Sequence, residues 1–121
     1  MGVQAKSFDS PDETRSFENG EGRILNLGQG TVACLNAQPG WSWSKSLKPI
    51  MGGESCQMLH TGYMVSGRMT VKSGDGTQTT IEPGNVYVID PDHDAWVEGD
   101  EPVMAIEFNS RTAEELGKAM K

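Results

Sequence analysis

The sequence has few of the features that mark several large classes of protein. It holds 10 Lys and Arg against 17 Asp and Glu, a formal net charge of −7, with no cluster of basic residues. Clustered Lys and Arg bind phosphate backbones and anionic lipids, so the composition argues against nucleic-acid and membrane-surface partners. No apolar run approaches the ~20 residues that span a bilayer. The polar N-terminus, MGVQAKSFDSPDETR, lacks the apolar core of a secretory signal. We therefore expect a cytoplasmic protein.

Cysteine and histidine are also scarce, with two residues of each type. A disulfide between Cys34 and Cys56 is not expected in a reducing cytosol. Cys34 lies in the apolar segment TVACLNA and is predicted to be a small buried hydrophobe. Cys56 is followed four residues later by His60, and the second histidine is His93. For Cys56 a structural role and a metal-binding role are both open.

The sequence has abundant turn formers and short alternating segments. Among its 121 residues are 15 glycines and six prolines. The segments RILNLG, TVACLNAQ and WSWSKSL alternate or nearly alternate between apolar and polar residues, as half-buried strands do. SGDGT, between RMTVK and TQTTI, predicts a hairpin turn. The chain length argues for one domain, and about eight to ten short strands predict an all-β sandwich or barrel.

The two ends of the sequence do not follow this pattern. Residues 1–22 are polar, and Ser10 followed by Pro11 and Glu13 has the form of a helix start, so we expect a turn of helix or an arm. The barrel is predicted to span residues 23–109. In residues 110–121, Thr112 and Glu115 form a capping box, which predicts a short C-terminal helix.

The centre of the sequence resembles the cupin superfamily, in particular its small single-domain members. The resemblance rests on HTGYMVSGRMTV with its turn at Gly67, on the DGT hairpin, and on IEPGNVYVIDPDHDAWV with its opening Pro83-Gly84. It covers residues 40–108, and the flanking segments look like those of short bacterial cupins. It implies a jelly-roll (cupin) β-barrel, usually a homodimer, that holds one divalent metal inside.

The metal motifs of the family can be matched position by position. Counting back from the glycine of the first motif, the family's glutamate position falls on His60. Its two histidine positions fall on Glu54 and Cys56, so the motif reads Glu-x-Cys-x-x-x-His in place of His-x-His-x-x-x-Glu. In the second motif the usual histidine position falls near Ala95, and His93 lies two residues earlier. The departure puts the fourth ligand in doubt.

Strand geometry allows these donors to meet. Glu54, Cys56 and His60 lie on one face if their strand is regular, and His93 could converge with them inside the barrel. A thiolate and two imidazoles suit Zn²⁺ in preference to Fe or Ni, and do not suit Mg²⁺ or Ca²⁺. Glu54 would be a fourth ligand or a base, and Tyr87 a second group that moves a proton. The alternative is a metal-free barrel in which the histidines are core residues.

Other residues have two interpretations each. Trp41 and Trp43 would wall a ligand pocket or form part of the core or a dimer interface. Tyr63 has the opposite parity to His60 and is expected outside the barrel. Asp92 stands at a turn position that favours the left-handed conformation. Asp90 and Asp94 belong with Asp92 to a solvated turn, or else Asp94 or Asp90 orients the ring of His93.

Three functional hypotheses follow. The first is a metal-dependent enzyme acting on a small organic molecule, the reaction class being undetermined by the fold. The second is a non-catalytic module that binds a metal or small ligand, such as a regulatory protein. The third is a metal-free structural protein. A homodimer is expected in each case, because exposed sheet edges need covering and the resemblance implies one.

Overall fold

The computed structural model describes residues 2–28 and 30–108, which contain nine strands and two short helical segments. The strands are β1 Glu13–Phe17, β2 Gly20–Asn26, β3 Thr31–Ala37, β4 His60–Ser66, β5 Arg68–Ser73, β6 Gln78–Ile81, β7 Val86–Ile89, β8 His93–Glu98 and β9 Val103–Phe108. Between β3 and β4 lie a π-helical turn, Trp43–Leu47, and the one-turn helix α1, Lys48–Met51.

The strands form two antiparallel sheets that enclose the core. The larger sheet has the order β1-β2-β3-β9-β4-β7 and the smaller the order β6-β5-β8. Inward side chains of both sheets build one cluster, among them Met64 and Ala105 from the larger sheet and Val71 and Val97 from the smaller. Within the described residues no continuous hydrogen-bonded barrel closes, so the all-β jelly roll is confirmed in an open form.

The turns that fix this topology lie at the predicted positions. Gly67 has φ 77°, and a side chain there would run into the backbone oxygen of Pro102, so this turn requires glycine. In the β5–β6 hairpin, the N–H of Thr77 donates to the carboxylate of Asp75. Asp92 adopts φ 74°, the left-handed conformation predicted for it. Local turn chemistry therefore sets the register that carries the site residues.

Two local predictions are wrong, the helix start at Ser10 and the strand at WSWSKSL. The helix start predicted at Ser10 is absent, and residues 13–17 instead form β1, which pairs along β2. The segment WSWSKSL is a π-helical turn rather than a strand, and its buried residues Trp43, Ser46 and Leu47 follow helical spacing. The segment that follows, LKPIMGG, contains α1. In these short segments, pairing and capping with distant residues outweigh the local pattern.

Several other expectations concern exposure and the ends of the chain. Cys34 is buried and is not in a disulfide, as predicted, and Tyr63 faces outward. Within the part of the chain that the structure describes, no helix is long and apolar enough to cross a membrane. The predicted C-terminal helix at 110–121 lies outside the described residues.

Candidate metal centre

Cys56 and His93 are joined through their backbones. The N–H of Cys56 donates to the carbonyl of His93 at 2.7 Å, and the N–H of His93 donates back at 3.1 Å. This isolated antiparallel pair attaches the irregular segment before β4 to the first residue of β8. His60 is the first residue of β4 in the other sheet. The site therefore joins the two sheets at one end of the core.

The three side chains place their donor atoms close together. One ligand atom from each of Cys56, His60 and His93 lies within 4.8 Å of the other two, and all three residues are buried. The Sγ of Cys56 is 3.7 Å from the Nε2 of His60. A sulfur and a nitrogen bound to one tetrahedral Zn²⁺ lie about 3.5 Å apart, given the usual bond lengths. The separation of these donors fits such an ion without rearrangement of the backbone.

The other ring nitrogen of each histidine is held by an oxygen acceptor. The Nδ1 of His60 is 2.8 Å from the carboxylate of Glu107. The Nδ1 of His93 is 2.8 Å from the backbone carbonyl of Asp90. A carbonyl can only accept, so Nδ1 of His93 carries the proton, which leaves its Nε2 as the candidate ligand atom. The backbone of Asp90, and not its carboxylate, therefore orients the ring of His93.

The charges of the cluster are linked. Burial raises the pKa of the Cys56 thiol, but hydrogen bonds with His60 and His93 outweigh burial and lower it to about 6. Burial lowers the pKa of His60, but the carboxylate of Glu107 and the sulfur of Cys56 raise it to about 10. Near neutral pH the metal-free site is therefore a thiolate–imidazolium pair. A metal would have to displace the proton shared by this pair.

Glu107 is the important residue that sequence analysis missed. It is buried, and its second oxygen accepts the hydroxyl of Tyr87 at 2.9 Å. Burial, followed by the charge of Glu107, raises the pKa of Tyr87, which keeps the phenol protonated. A signal was present in the sequence. On β9, Glu107 has the same parity as Val103 and Ala105, so a carboxylate occupies an inward position of an otherwise apolar strand face.

The two residues predicted to act in catalysis lie elsewhere than expected. The side chain of Glu54 is 98% exposed and pairs with Lys48 at 3.6 Å, outside the cluster. Its predicted role assumed a regular strand from 54 to 60, whereas β4 begins at His60. Tyr87 does not line the cavity beside the cluster and reaches His60 through Glu107. In the structure Glu54 thus lies apart from the cluster and Tyr87 contacts it only through Glu107, and their roles in proton transfer stay predictions.

A cavity lies beside the donor atoms and is lined mostly by apolar side chains. Its volume is about 60 Å³, enough for a few water molecules. Its walls include Ile24, Leu35 and Ala95. A second, more open pocket of about 580 Å³ is also lined by Cys56 and is within the size range of small-molecule sites.

Trp43 belongs to the walls of both spaces. It is 3% exposed, and its indole nitrogen has no hydrogen-bond acceptor among residues 2–28 and 30–108.

The π-helical turn that begins with Trp43 is held by two hydrogen bonds near its start. The Oγ of Ser42 accepts the N–H of Lys45, and the N–H of Ser44 donates to the carboxylate of Asp94. Isolated π-helical turns often occur at functional sites.

Comparison with known proteins gives the fold but no sequence relative. No protein-family model matches the sequence, and neither does any curated protein. Among solved structures, the chain is similar to ectoine synthase from P. lautus, with a TM-score of 0.66 and 15% identity over 93% of this chain and 86% of that one. It is also similar to the polyketide cyclase RemF from Streptomyces resistomycificus, with a TM-score of 0.64 and 13% identity over 90% and 80% of the two chains.

A third similar structure makes the fold explicit. It is an uncharacterized conserved protein with a double-stranded β-helix domain from Klebsiella pneumoniae, with a TM-score of 0.58 and 17% identity over 88% of this chain and 89% of that one. The cupin resemblance is therefore confirmed as a double-stranded β-helix fold. At these identities the similarity establishes the fold and carries no activity with it.

Proposed function

We propose that this protein binds one divalent transition metal through Cys56, His60 and His93 and presents it to a small organic molecule. The observation that carries the proposal is the buried convergence of the three donor atoms within 4.8 Å. A donor set of one thiolate and two imidazoles favours Zn²⁺ over Fe or Ni. Three protein ligands leave a coordination position for water or substrate.

Each residue of the site has a defined role in this proposal. Cys56 supplies an anionic sulfur, and both histidines supply Nε2. The carboxylate of Glu107 holds the proton on Nδ1 of His60 and keeps the ring facing the cavity. When bound, such an ion supplies a Lewis-acidic centre that polarises an oxygen or acidifies a bound water. The apolar walls exclude bulk water, which strengthens every polar interaction inside.

A metal-dependent enzyme is the function that we favour. Two of the similar structures are, by name, a synthase and a cyclase, so this fold accommodates reactions on small molecules. A non-catalytic binding module is the second candidate, and one observation favours it. Apart from the three donors and Glu107, no titratable side chain in the described part of the chain lines the cavity. A reaction here would have to use groups bound to the metal for proton transfer.

Metal content tests the proposal directly. Untagged protein, analysed by inductively coupled plasma mass spectrometry, is expected to hold about one equivalent of metal. Cys56→Ser and His60→Asn are expected to lose it. Cys34→Ser is the matched control, because Cys34 is equally buried but lies outside the cluster. A wild-type protein that takes up no Zn²⁺ after dialysis against it, or a Cys56→Ser variant that keeps the metal, contradicts the proposal.

Turnover separates the two candidate functions. The metal-loaded protein is incubated with keto acids, sugars and aromatic diols, and consumption is followed by mass spectrometry. Turnover that disappears in His60→Asn supports the enzyme. A compound that raises the melting temperature without being consumed supports the binding module.

We also propose that the chain forms a homodimer through the outer face of the larger sheet. The strand β7 is at the edge of that sheet, and its Val86 and Val88 are 76% and 64% exposed. Tyr63 lies beside Val86 on the neighbouring strand and is also exposed. Apolar side chains on an edge strand favour association with a second copy.

Analytical ultracentrifugation tests the dimer. Wild-type protein is expected to sediment as a dimer and Val88→Lys as a monomer. Thr79→Lys on β6 of the other sheet, an exposed position, is expected to remain dimeric. Monomeric wild-type protein at micromolar concentration would exclude this interface. Cytoplasmic location stays a prediction.

A further inference from the structure

Met58 lies between two of the proposed metal ligands in the sequence and points to the same side of the chain. Burial alternates along this segment: Cys56, Met58 and His60 are buried or half-buried, whereas Gln57 and Leu59 are exposed. In an extended chain, residues two apart point to the same side. The side chain of Met58 is therefore directed inward, together with those of Cys56 and His60.

Met58 also shares the cavity of the donor atoms. It lines the same space of about 60 Å³ as all three donor residues, and it packs against the buried core. Burial raises the pKa of the Cys56 thiol, whereas hydrogen bonds with the two histidines and with the backbone of Met58 lower it. Met58 thus contacts the sulfur of Cys56 through its backbone and faces the cavity with its side chain.

The thioether of a methionine is a soft donor that discriminates between metal ions. Thiolate and thioether sulfurs select Cu(I), and imidazole suits copper as well as zinc. Zinc in proteins is bound by the side chains of Cys, His, Asp and Glu. Met58 is therefore a ligand that copper can use and zinc leaves unused. Its unbranched side chain has three rotatable bonds, so the sulfur can adjust to an ion in the cavity.

We infer that the site also takes a cuprous ion, Cu(I), and that the thioether of Met58 is then its fourth ligand, beside the thiolate and the two imidazoles. This inference rests on the proposed function, because it uses the same three donor atoms. In the zinc-loaded protein the fourth position stays open to water or substrate, whereas in the copper-loaded protein Met58 fills it. The ion that is bound then decides whether a small molecule can reach the metal.

A second methionine provides a matched control. Met51 is also half-buried and packs against the same core. It lines the second pocket of about 580 Å³ but not the cavity of the donor atoms. Leucine is close to methionine in volume, so both Met58→Leu and Met51→Leu are expected to fold.

Metal affinities are measured for the two variants and the wild type. Competition with a Cu(I) chelator under argon gives the affinity for Cu(I), and competition with a Zn²⁺ chelator gives that for zinc. Loss of a residue that only supports a metal ligand usually costs about 10- to 100-fold in affinity. We therefore expect Met58→Leu to bind Cu(I) at least about 10-fold more weakly and Zn²⁺ within about 2-fold of wild type. Met51→Leu is expected to match the wild type for both ions.

X-ray absorption at the copper edge counts the sulfur ligands directly. Two sulfurs, from Cys56 and Met58, are expected in the wild type and in Met51→Leu, and one sulfur in Met58→Leu. The inference is overturned by a Met58→Leu variant that keeps the wild-type affinity for Cu(I), or by wild-type protein with a single sulfur at copper. Either result would make Met58 a core residue only.

The zinc measurements separate this result from the proposed function. Protein that holds Zn²⁺ but binds Cu(I) without dependence on Met58 contradicts the inference alone. Protein that holds no divalent ion but binds Cu(I) through two sulfurs supports the inference and contradicts the proposed divalent metal. Protein that binds neither ion contradicts both.

Discussion

Metal binding to this site is expected to be coupled to the release of one proton. With a pKa of about 6, Cys56 is a thiolate between pH 7 and pH 9. With a pKa of about 10, His60 is protonated over the same range. A metal needs both donors without protons. Each ion that binds must therefore displace the proton of His60.

The magnitude follows from the number of protons. Release of one proton makes the apparent affinity rise about 10-fold per pH unit, so about 100-fold from pH 7 to pH 9. The rise of metal affinity with pH depends on Glu107. The charge of Glu107 raises the pKa of His60, whereas burial lowers it. In Glu107→Gln this charge is absent while burial remains, so the pKa of His60 falls. Fewer protons are then released per metal ion bound at pH 8.

Glu107→Gln is also expected to lower the metal affinity at high pH, where few protons compete with the metal for His60. The glutamine can still accept from Nδ1 of His60 but lacks the charge. Loss of a partner of this kind usually costs about 10- to 100-fold in metal affinity. For Glu107→Gln at pH 9 we expect a loss of metal affinity near 10-fold. At pH 7 we expect a smaller loss, because His60 of the variant is less often protonated and the metal displaces fewer protons.

Calorimetry measures both quantities. Zn²⁺ is titrated in two buffers of different protonation enthalpy, which gives the protons released, and chelator competition gives the affinity from pH 7 to pH 9. Glu98→Gln is the matched control. It removes the same charge at a half-buried residue, outside the cluster, that accepts hydrogen bonds from Thr70 and Trp96. The reasoning is refuted if the wild type releases no proton at pH 8, or if Glu107→Gln has the same pH dependence as the wild type.

Three further predictions concern stability. Tyr87→Phe should lower the free energy of unfolding by about 1.5–3 kcal/mol, the value of a hydrogen bond to a charged group, without loss of metal; urea denaturation and metal analysis check this. Gly67→Ala should lower the melting temperature more than Gly76→Ala. Both glycines have positive φ, but a side chain at 67 runs into the backbone of Pro102, whereas one at 76 meets nothing within 4 Å; equal effects would contradict this. The pKa of Cys56 is lowered from 9.0 to about 6, so its ionisation stabilises the metal-free fold most above pH 9. The stability advantage of wild type over Cys56→Ser should therefore shrink as pH falls from 9 to 6 in urea titrations, and a constant difference would refute the sign.

Sequence analysis found the residues whose position depends on local rules. Alternation identified β2 and β3 approximately, the SGDGT hairpin located β5 and β6, and the turns at Gly67 and Asp92 followed from backbone conformations that few residues adopt. Sequence analysis also placed Cys56, His60 and His93 together as candidate metal ligands, with Glu54 beside them. Its errors fell in segments where local signals conflict with distant partners, such as β1 and the turn that begins at Trp43.

Within the regular strands, the sequence by itself determined which side chains point to the same face, because parity along a strand depends on the residue and its neighbours alone. It did not determine which strands face one another. The backbone pair of Cys56 with His93 spans 37 residues of chain, and the contact of His60 with Glu107 spans 47. Only tertiary structure decided those partners, and with them the exposure of Glu54, because packing two sheets together is a property of the whole chain.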